Sequence, residues 1–214
     1  NLLAFEVAKR NVYNFLKLEL ENVVSGDAIK ILALEQRYER TFEHPNLPIP
    51  IKIGGSVDRI ELRNGVIRII DYKTGKVEKL ELKSGELGLR NSILTGELKP
   101  KILQLWLYKY LLASELIHVS PKNEKTFAGL SLQTHSIKPG IISFRNLKEG
   151  VLSDEEHDLW FESGPIWDTF LLDSQSVIEG WVRKILDVNT KFEKTKEVAD
   201  CQYCDFKVIC QREL

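Results

Sequence analysis

The chain has 214 residues, of which 43% are hydrophobic and 29% charged, and its formal net charge at pH 7 is −1. This length and composition are typical of an ordinary globular domain with one hydrophobic core, and they exclude a disordered or low-complexity protein. The chain contains neither an apolar run as long as a membrane span nor a signal peptide, so we expect no membrane partner, and its balanced charge leaves any nucleic-acid contact to local basic patches.

The first part of the chain is predicted to form a helix, a strand and a hairpin. Apolar residues recur at helical spacing between residues 2 and 24, which predicts one long helix. Residues 28–43 are typical of a strand, and a Pro-rich loop follows them. Residues 51–73 are predicted to be a β-hairpin, and the polar residues 76–98 a loop over its open end or a partly ordered insertion.

The hairpin carries the most informative residues of the sequence. Asn64-Gly65 is the strongest short signal for a two-residue type I′ turn, and a turn at these positions places Asp58 directly across from Asp71. Strand side chains alternate between the two faces of a sheet. One face of the hairpin is therefore apolar near the turn and carries two carboxylates and the ammonium of Lys73 at its open end.

The opposed pair Asp58–Asp71 is the anomaly in this pattern. The Cβ atoms of directly opposed strand residues lie roughly 5 Å apart. Two like charges at that distance repel by about 3 kcal/mol at an effective dielectric of about 20. A hard divalent cation such as Mg²⁺ or Mn²⁺ relieves this repulsion, because it prefers oxygen ligands. Lys73, on the same face, can orient a metal-bound water or stabilise developing negative charge.

The alternative is an exposed hairpin whose charged residues simply face water. Against it, the face that carries the two carboxylates also holds four large aliphatic residues, which favours a face directed into a core: Ile60, Leu62, Ile67 and Ile69. On the reverse face, Glu61 lies across from Arg68, an opposite-charge pair that supports the same register.

The rest of the chain is predicted to complete an α/β fold. Residues 99–116 form a strongly apolar helix, and residues 173–195 form an amphipathic one. Two strands are predicted at residues 126–134 and 141–144, separated by a break at residues 138–140. The predicted architecture is a central sheet of about five strands flanked by α-helices, with one helix between the third and fourth strands.

The hairpin resembles the PD-(D/E)xK nuclease superfamily. Asp58 matches the first acidic residue of its motif, and Asp71-Tyr72-Lys73 matches the D-x-K element. The resemblance implies a restriction-endonuclease-like core with a mixed sheet. It also implies that Asp58, Asp71 and the backbone carbonyl of Tyr72 hold Mg²⁺ or Mn²⁺.

The fuller pattern Gly-x-x-Asp-Arg-Ile-Glu … Ile-Asp-Tyr-Lys-Thr-Gly is similar to the RecB-type branch of that superfamily. This branch adds a Gln-x-x-x-Tyr on the following helix, matched by Gln104 and Tyr108, which share one helix face. The branch also often has a Glu in a strand before the first Asp. Glu35 is the candidate for that residue, and Glu39 is a weaker one.

The only three cysteines of the chain lie together near its end, at Cys201, Cys204 and Cys210. Clustered cysteines of the C-x2-C form indicate metal binding rather than disulfides, and hence a reducing cytoplasm. Their spacing resembles the iron–sulfur staple of AddB-type nucleases and of related CRISPR-associated nucleases. The fourth, upstream cysteine of those families has no counterpart here. We therefore expect no 4Fe–4S cluster in this fragment alone, and a zinc site with one further ligand is the alternative.

Together these features predict a metal-dependent deoxyribonuclease. The resemblance implies the C-terminal nuclease domain of an AddB-like subunit, which works with an AddA-type helicase–nuclease partner in DNA-end resection and double-strand break repair. The missing upstream cysteine has two explanations, an excised C-terminal domain or a lineage that has lost the cluster, and the start at Asn1 and the lack of Met favour the excised domain. Two alternatives stay open, namely a catalytically silent DNA-binding or scaffolding domain of the same fold and a stand-alone CRISPR-associated nuclease.

Lysines beside the predicted site are candidates for contacts with DNA phosphates. They are Lys76, Lys79 and Lys83 after the D-x-K element, and Lys99 and Lys101 at the start of the following helix. The predicted organisation has three parts: an N-terminal helix at residues 1–27, a nuclease core at residues 28–195 and a Cys-rich tail at residues 196–214.

Overall fold

The computed structural model describes residues 2–43, 47–78, 82, 99–118, 124–153, 166–191, 193–202 and 204–212. Its elements in chain order are helix α1 (Leu2–Val24), strands β1 (Ile29–Phe42), β2 (Ile51–Arg63) and β3 (Val66–Lys73), helix α2 (Pro100–Ile117), strands β4 (Ile137–Ser143) and β5 (Val151–Leu152), and helix α3 (Ile166–Leu186). Short 3₁₀ turns lie at Leu147–Glu149 and Val198–Cys201. Residue contacts divide the chain into two units, Asn1–Gly180 and Trp181–Leu214.

A five-stranded mixed sheet in the order β1-β2-β3-β4-β5 forms the centre of the first unit. The strand pairs β1–β2, β2–β3 and β4–β5 are antiparallel, whereas β3 and β4 run parallel. Parallel neighbours need a crossover connection, and α2 lies in the connection between them. The predicted fold class, a mixed sheet of about five strands flanked by helices with one helix between the third and fourth strands, is confirmed.

The hairpin of β2 and β3 has the predicted register. Both residues of its Asn-Gly turn have positive φ, +51° and +81°, as a type I′ turn requires. The ladder pairs Glu61 with Arg68, as predicted, and ends at Arg59 and Ile70. Asp58 therefore lies one residue beyond the last ladder pair, where β2 continues against β1 alone.

The first half of β2 and the second half of β1 form a two-stranded ribbon that extends past β3. Their register is regular from Ala33 to Phe42 and shifts by one residue between Ile31 and Ala33. The ribbon packs on α2, where Arg40 Nη2 donates a hydrogen bond to the Ser114 carbonyl oxygen at 2.9 Å. This contact brings the open end of the hairpin next to α2.

Helix α2 is buried around most of its circumference. The group of buried side chains includes a charged one, Lys109, whose Nζ lies 4.8 Å from the ring centroids of both Trp167 and Phe170 in α3. Burial lowers the pKa of Lys109 to about 7, while the two ring faces favour its charged form. The core shared by α2 and the sheet includes these fully buried apolar residues: Ile102, Leu105, Trp106, Leu111 and Leu112 of α2, with Ile60, Ile67, Ile69 and Ile137 of the strands.

Helix α1 lies on the reverse face of the sheet. It contacts the sheet through Phe15, which is buried with Ile70 and Ile142, and through Glu19, which pairs with Arg59 of β2. The apolar residues that predicted this helix are exposed instead: Leu3, Val7, Tyr13, Leu16, Leu20 and Val23.

The predicted strand at residues 126–134 is wrong. The segment forms turns, in which the backbone N–H groups of Leu130 and His135 donate to the carbonyl oxygens of Phe127 and Ser131. Phe127 and Leu132 are nevertheless buried. Apolar residues in a short segment therefore do not distinguish a strand from buried turns.

The predicted break at residues 138–140 is also wrong, because β4 runs through it. Pro139 pairs with Ile69 of β3, and Gly140 lets β5 approach, since a β-carbon there would overlap Val151 and the backbone of Leu152. Helix α3 begins and ends earlier than the predicted residues 173–195. It ends at Leu186 because Asp187 accepts hydrogen bonds from the Asn189 backbone and the Thr190 hydroxyl, which form a turn.

Candidate active site

Five of the predicted site residues lie together at the open end of the hairpin: Asp58, Asp71, Lys73, Gln104 and Tyr108. Gln104 is at the centre, because its Nε2 donates to Asp71 Oδ1 at 3.0 Å and to Tyr108 Oη at 2.8 Å. Lys73 Nζ donates to Gln104 Oε1 at 3.3 Å. The Gln104 side chain therefore joins the Asp71 carboxylate and the Lys73 ammonium of β3 to the Tyr108 hydroxyl of α2.

The two carboxylates are held differently. Asp58 Oδ2 accepts a hydrogen bond from the backbone N–H of Tyr72 at 2.7 Å, which bridges β2 and β3 beyond their ladder. Asp71 is only 3% exposed. Burial raises the pKa of Asp71 above its ordinary value, and the negative charge of Asp58 raises it further, against the opposing effect of Lys73. The predicted electrostatic conflict is thus present at Asp71.

The Oδ2 atom of Asp71 shows whether these residues fit a metal ion. This buried atom lies 2.8 Å from Lys73 Nζ in an ion pair and has no second partner among the described residues. The described residues contain no group of three or more His, Cys, Asp or Glu side chains able to hold a metal. Two carboxylates completed by carbonyl oxygen and water suit Mg²⁺, which keeps several of its waters in proteins.

Tyr108 completes the site from α2. Burial raises the pKa of its hydroxyl, as do the charges of Asp71 and Asp58, so the hydroxyl keeps its proton and remains a donor. Its ring lies against Gly55 of the ribbon, where an added β-carbon would be 3.1 Å from Tyr108 Cε1. Gly55 is the first residue of the Gly-x-x-Asp pattern, and consecutive glycines inside a strand indicate close approach of another group.

The acidic candidates on β1 lie at different places relative to the site. Glu35 lies between the register pairs Leu34–Arg59 and Gln36–Val57, so it is across from Asp58. Its φ of +48° departs from strand geometry. Its side chain is exposed, and among the described residues it takes no part in the hydrogen bonds of the site. Glu39 is also exposed and is paired with Lys52 and Arg37.

The lysine candidates lie around this group. Lys76 is exposed three residues after Lys73 and pairs with Glu78. Lys99 and Lys101 flank the first residue of α2, one turn before Gln104. Lys79 and Lys83 lie outside the described residues, as does most of the loop predicted at residues 76–98.

The cysteines lie in the second unit. Cys201 is buried, Cys204 and Cys210 are half-buried, and all three are free thiols. Arg212 Nη1 lies 3.7 Å from Cys201 Sγ, and Arg212 Nη2 donates to the Thr195 carbonyl oxygen. These contacts join Arg212 to Thr195 and Cys201 within the second unit.

Comparison with known proteins decides the family. The model of the PD-(D/E)XK nuclease superfamily matches residues 6–211. The chain belongs to this superfamily. Membership implies a nuclease, which is a hydrolase, and the superfamily match includes the hairpin and α2, on which all five clustered residues lie.

Other comparisons add little to the superfamily match. The solved structure titled "Crystal structure of SSO0001" is 20% identical, covers 98% of this chain and 77% of that chain, and has a TM-score of 0.31. No curated protein matches this PD-(D/E)XK chain significantly. Across the described ranges, none of its helices has an apolar stretch able to span a lipid bilayer.

Proposed function

We propose that this domain is a Mg²⁺- or Mn²⁺-dependent nuclease that hydrolyses phosphodiester bonds in DNA. The observation that carries the proposal is the hydrogen-bonded group of an acid, a lysine, an amide and a tyrosine centred on Gln104. Superfamily membership supports the hydrolytic reaction. The choice of DNA rests on the resemblance to the RecB-type branch.

Asp58, Asp71 and the Tyr72 carbonyl oxygen would hold the cation. When bound, it supplies Lewis acidity and a water of lowered pKa. The buried Oδ2 of Asp71 supports its part in this set, since only Lys73 faces it among the described residues and a carboxylate oxygen can bind more than one partner.

The other residues act on the substrate and the attacking water. The Lys73 side chain is 33% exposed at the end of β3, so its ammonium reaches both the buried acid and solvent, where it positions the water and stabilises negative charge on the phosphate. Gln104 fixes the positions of the Lys73 and Asp71 side chains through its two hydrogen bonds to them. Tyr108 accepts a hydrogen bond from Gln104 through its oxygen and keeps its proton, so its hydroxyl would donate a hydrogen bond to a phosphate oxygen.

The direct test is cleavage of linear duplex DNA with Mg²⁺. The Asp71→Asn variant keeps the size of the side chain and removes its charge, and we expect cleavage to fall by about 10³-fold or more, because metal-based stabilisation contributes several kcal/mol. Asp168→Asn, an exposed change in the first turn of α3, serves as the matched control and should cleave like wild type. Undiminished cleavage by Asp71→Asn would contradict the proposal, as would equal cleavage of a matched RNA.

We propose further that the domain is the nuclease of an AddB-like subunit, which pairs with an AddA-type helicase–nuclease to resect DNA ends during break repair. The spacing of the three tail cysteines and the RecB-type pattern support this assignment. Co-expression of a longer chain with an AddA-type subunit should yield a stable complex with ATP-dependent resection. A chain that neither binds that subunit nor changes its activity would contradict the assignment.

The same assignment predicts a 4Fe–4S cluster in a longer chain that carries an upstream cysteine. Anaerobic purification should give a brown protein with stoichiometric iron, and Cys204→Ser should remove the colour. A colourless protein with stoichiometric zinc would instead support the zinc alternative and contradict the cluster.

A further inference from the structure

Tyr72, the middle residue of the D-x-K element, points away from the candidate site. Side chains alternate along β3, so Asp71 and Lys73 lie on the front face and Tyr72 lies on the reverse face. The Tyr72 ring packs edge-on against Phe15 of α1, with centroids 5.5 Å apart, and stacks on Phe144 at 5.6 Å. The residue between two site side chains is thus anchored in the core between α1 and the sheet.

Tyr72 is also bound through its hydroxyl. Arg59 Nη1 donates to Tyr72 Oη at 3.2 Å, and Arg59 Nη2 donates to Glu19 Oε2 of α1 at 2.8 Å. Arg63 Nη2 donates to the other oxygen of Glu19 at 2.7 Å. Burial raises the pKa of Glu19, but the two arginines outweigh this effect and hold its pKa below the usual value. Glu19 therefore stays charged and ties α1 to β2.

Arg59 and Asp58 are consecutive in β2, and both bind Tyr72. Asp58 accepts a hydrogen bond from the Tyr72 backbone N–H, whereas Arg59 donates to the Tyr72 hydroxyl on the reverse face. The β2–β3 ladder ends at Arg59 and Ile70. The two contacts to Tyr72 therefore hold the strands together just beyond the ladder, where the site begins.

We propose that Tyr72 and Arg59 are positioning residues, which together with Glu19 of α1 fix Asp58 relative to Asp71 from the opposite face of the sheet. The inference rests on the proposed metal-dependent activity, since the distance between the two carboxylates matters to a shared cation. Residues that orient metal ligands typically weaken metal binding by about 10- to 100-fold when they are changed. Docking of α1 is thus part of the geometry of the site.

The test compares two Tyr→Phe variants. Tyr72→Phe removes the hydroxyl that Arg59 binds and keeps the ring contacts. Tyr38→Phe is the matched control, because it removes a buried hydroxyl that has no hydrogen-bond partner among the described residues. Mn²⁺ is titrated into each metal-free protein by calorimetry, and hydrogen exchange of the Tyr72 amide is measured without metal.

For Tyr72→Phe we expect Mn²⁺ binding about tenfold weaker than in wild type and faster exchange of the backbone amide of residue 72. The thermal midpoint should fall by about 2–6 °C, the cost of one buried hydrogen bond. Tyr38→Phe should match wild type in both measurements. Glu19→Gln, which removes the charge on α1 without touching Tyr72, should also speed exchange of the Tyr72 amide.

The outcomes separate this inference from the proposed function. Unchanged Mn²⁺ binding and amide exchange in Tyr72→Phe would overturn the positioning role and leave the nuclease proposal standing. Equal weakening in Tyr38→Phe would also overturn it, because general loosening of the core would then explain the effect. If wild type binds no Mn²⁺, the proposed function fails, whereas the exchange rates of the metal-free variants still decide whether α1 holds Asp58 through Tyr72.

Discussion

Asp58 accepts a hydrogen bond from the backbone N–H of Tyr72 at 2.7 Å, one residue beyond the last ladder pair of β2 and β3. This bond, rather than a ladder pair, brings Asp58 close enough to raise the pKa of Asp71. Asp58 and Asp71 therefore approach each other just beyond the point where the β2–β3 ladder ends. The contact of Arg59 with Tyr72 supports this approach from the reverse face of the sheet.

The raised pKa of Asp71 predicts how the metal-free protein depends on pH. Because the folded state favours the protonated carboxyl, the stabilisation from Asp71 is fully present below the ordinary pKa of 3.8 and is lost as the pH rises through the raised value. In EDTA at pH 7, Asp71→Asn should therefore have a higher thermal midpoint than wild type, and the difference should shrink toward pH 4. A midpoint that is lower at pH 7 than that of wild type would contradict the electrostatic account.

The lowered pKa of Lys109 predicts that stability changes with pH in the opposite direction, rising as the pH rises. Burial lowers its pKa to about 7 from an ordinary value of 10.5, so charging Lys109 costs stability below about pH 7, and this cost disappears as the pH approaches 10.5. Lys109→Met should raise the thermal midpoint by several degrees at pH 6 and by little at pH 10. A midpoint that falls at pH 6 would show that the contacts with Trp167 and Phe170 outweigh the cost of burial.

Gly55 predicts a packing effect on the site. A side chain there would press on Tyr108 from the ribbon, and overpacking typically costs about 1–3 kcal/mol. Gly55→Val should lower the thermal midpoint by about 2–10 °C and should reduce kcat through displacement of the Tyr108 hydroxyl. Gly180→Ala is the control, since a β-carbon added at Gly180 in α3 would meet no other atom within 4 Å. A kcat of Gly55→Val equal to that of wild type would contradict the prediction that packing of Tyr108 against Gly55 positions its hydroxyl for the reaction.

Local signals explain why much of the site was predictable from sequence. The Asn-Gly turn sets the hairpin register, and the i,i+4 spacing places Gln104 and Tyr108 on one face of α2. The convergence of α2 on the hairpin was expected only from the family resemblance. The hydrogen bond from Tyr72 to Asp58 was not expected, because the turn sets the register of the ladder but not the residue pair at which the ladder ends.

The reverse face was not predictable, because its burial depends on a residue far away in the chain. Arg59, Glu61, Arg63 and Arg68 alternate along the hairpin as they would on a surface exposed to water. They are buried or half-buried instead, and Glu19, 40 residues before Arg59, accepts hydrogen bonds from Arg59 and Arg63. The exposed apolar residues of α1 show the same limit, since periodicity indicates a helix but does not say which face contacts the sheet.

Calorimetric titration of Mn²⁺ into the metal-free protein tests the central claim most directly. We expect a saturable binding heat for wild type that is lost when Asp58→Asn and Asp71→Asn are combined, while Asp168→Asn binds like wild type. Absence of binding by folded wild type, or equal binding by the double variant, would contradict the claim that Asp58 and Asp71 together hold a divalent cation.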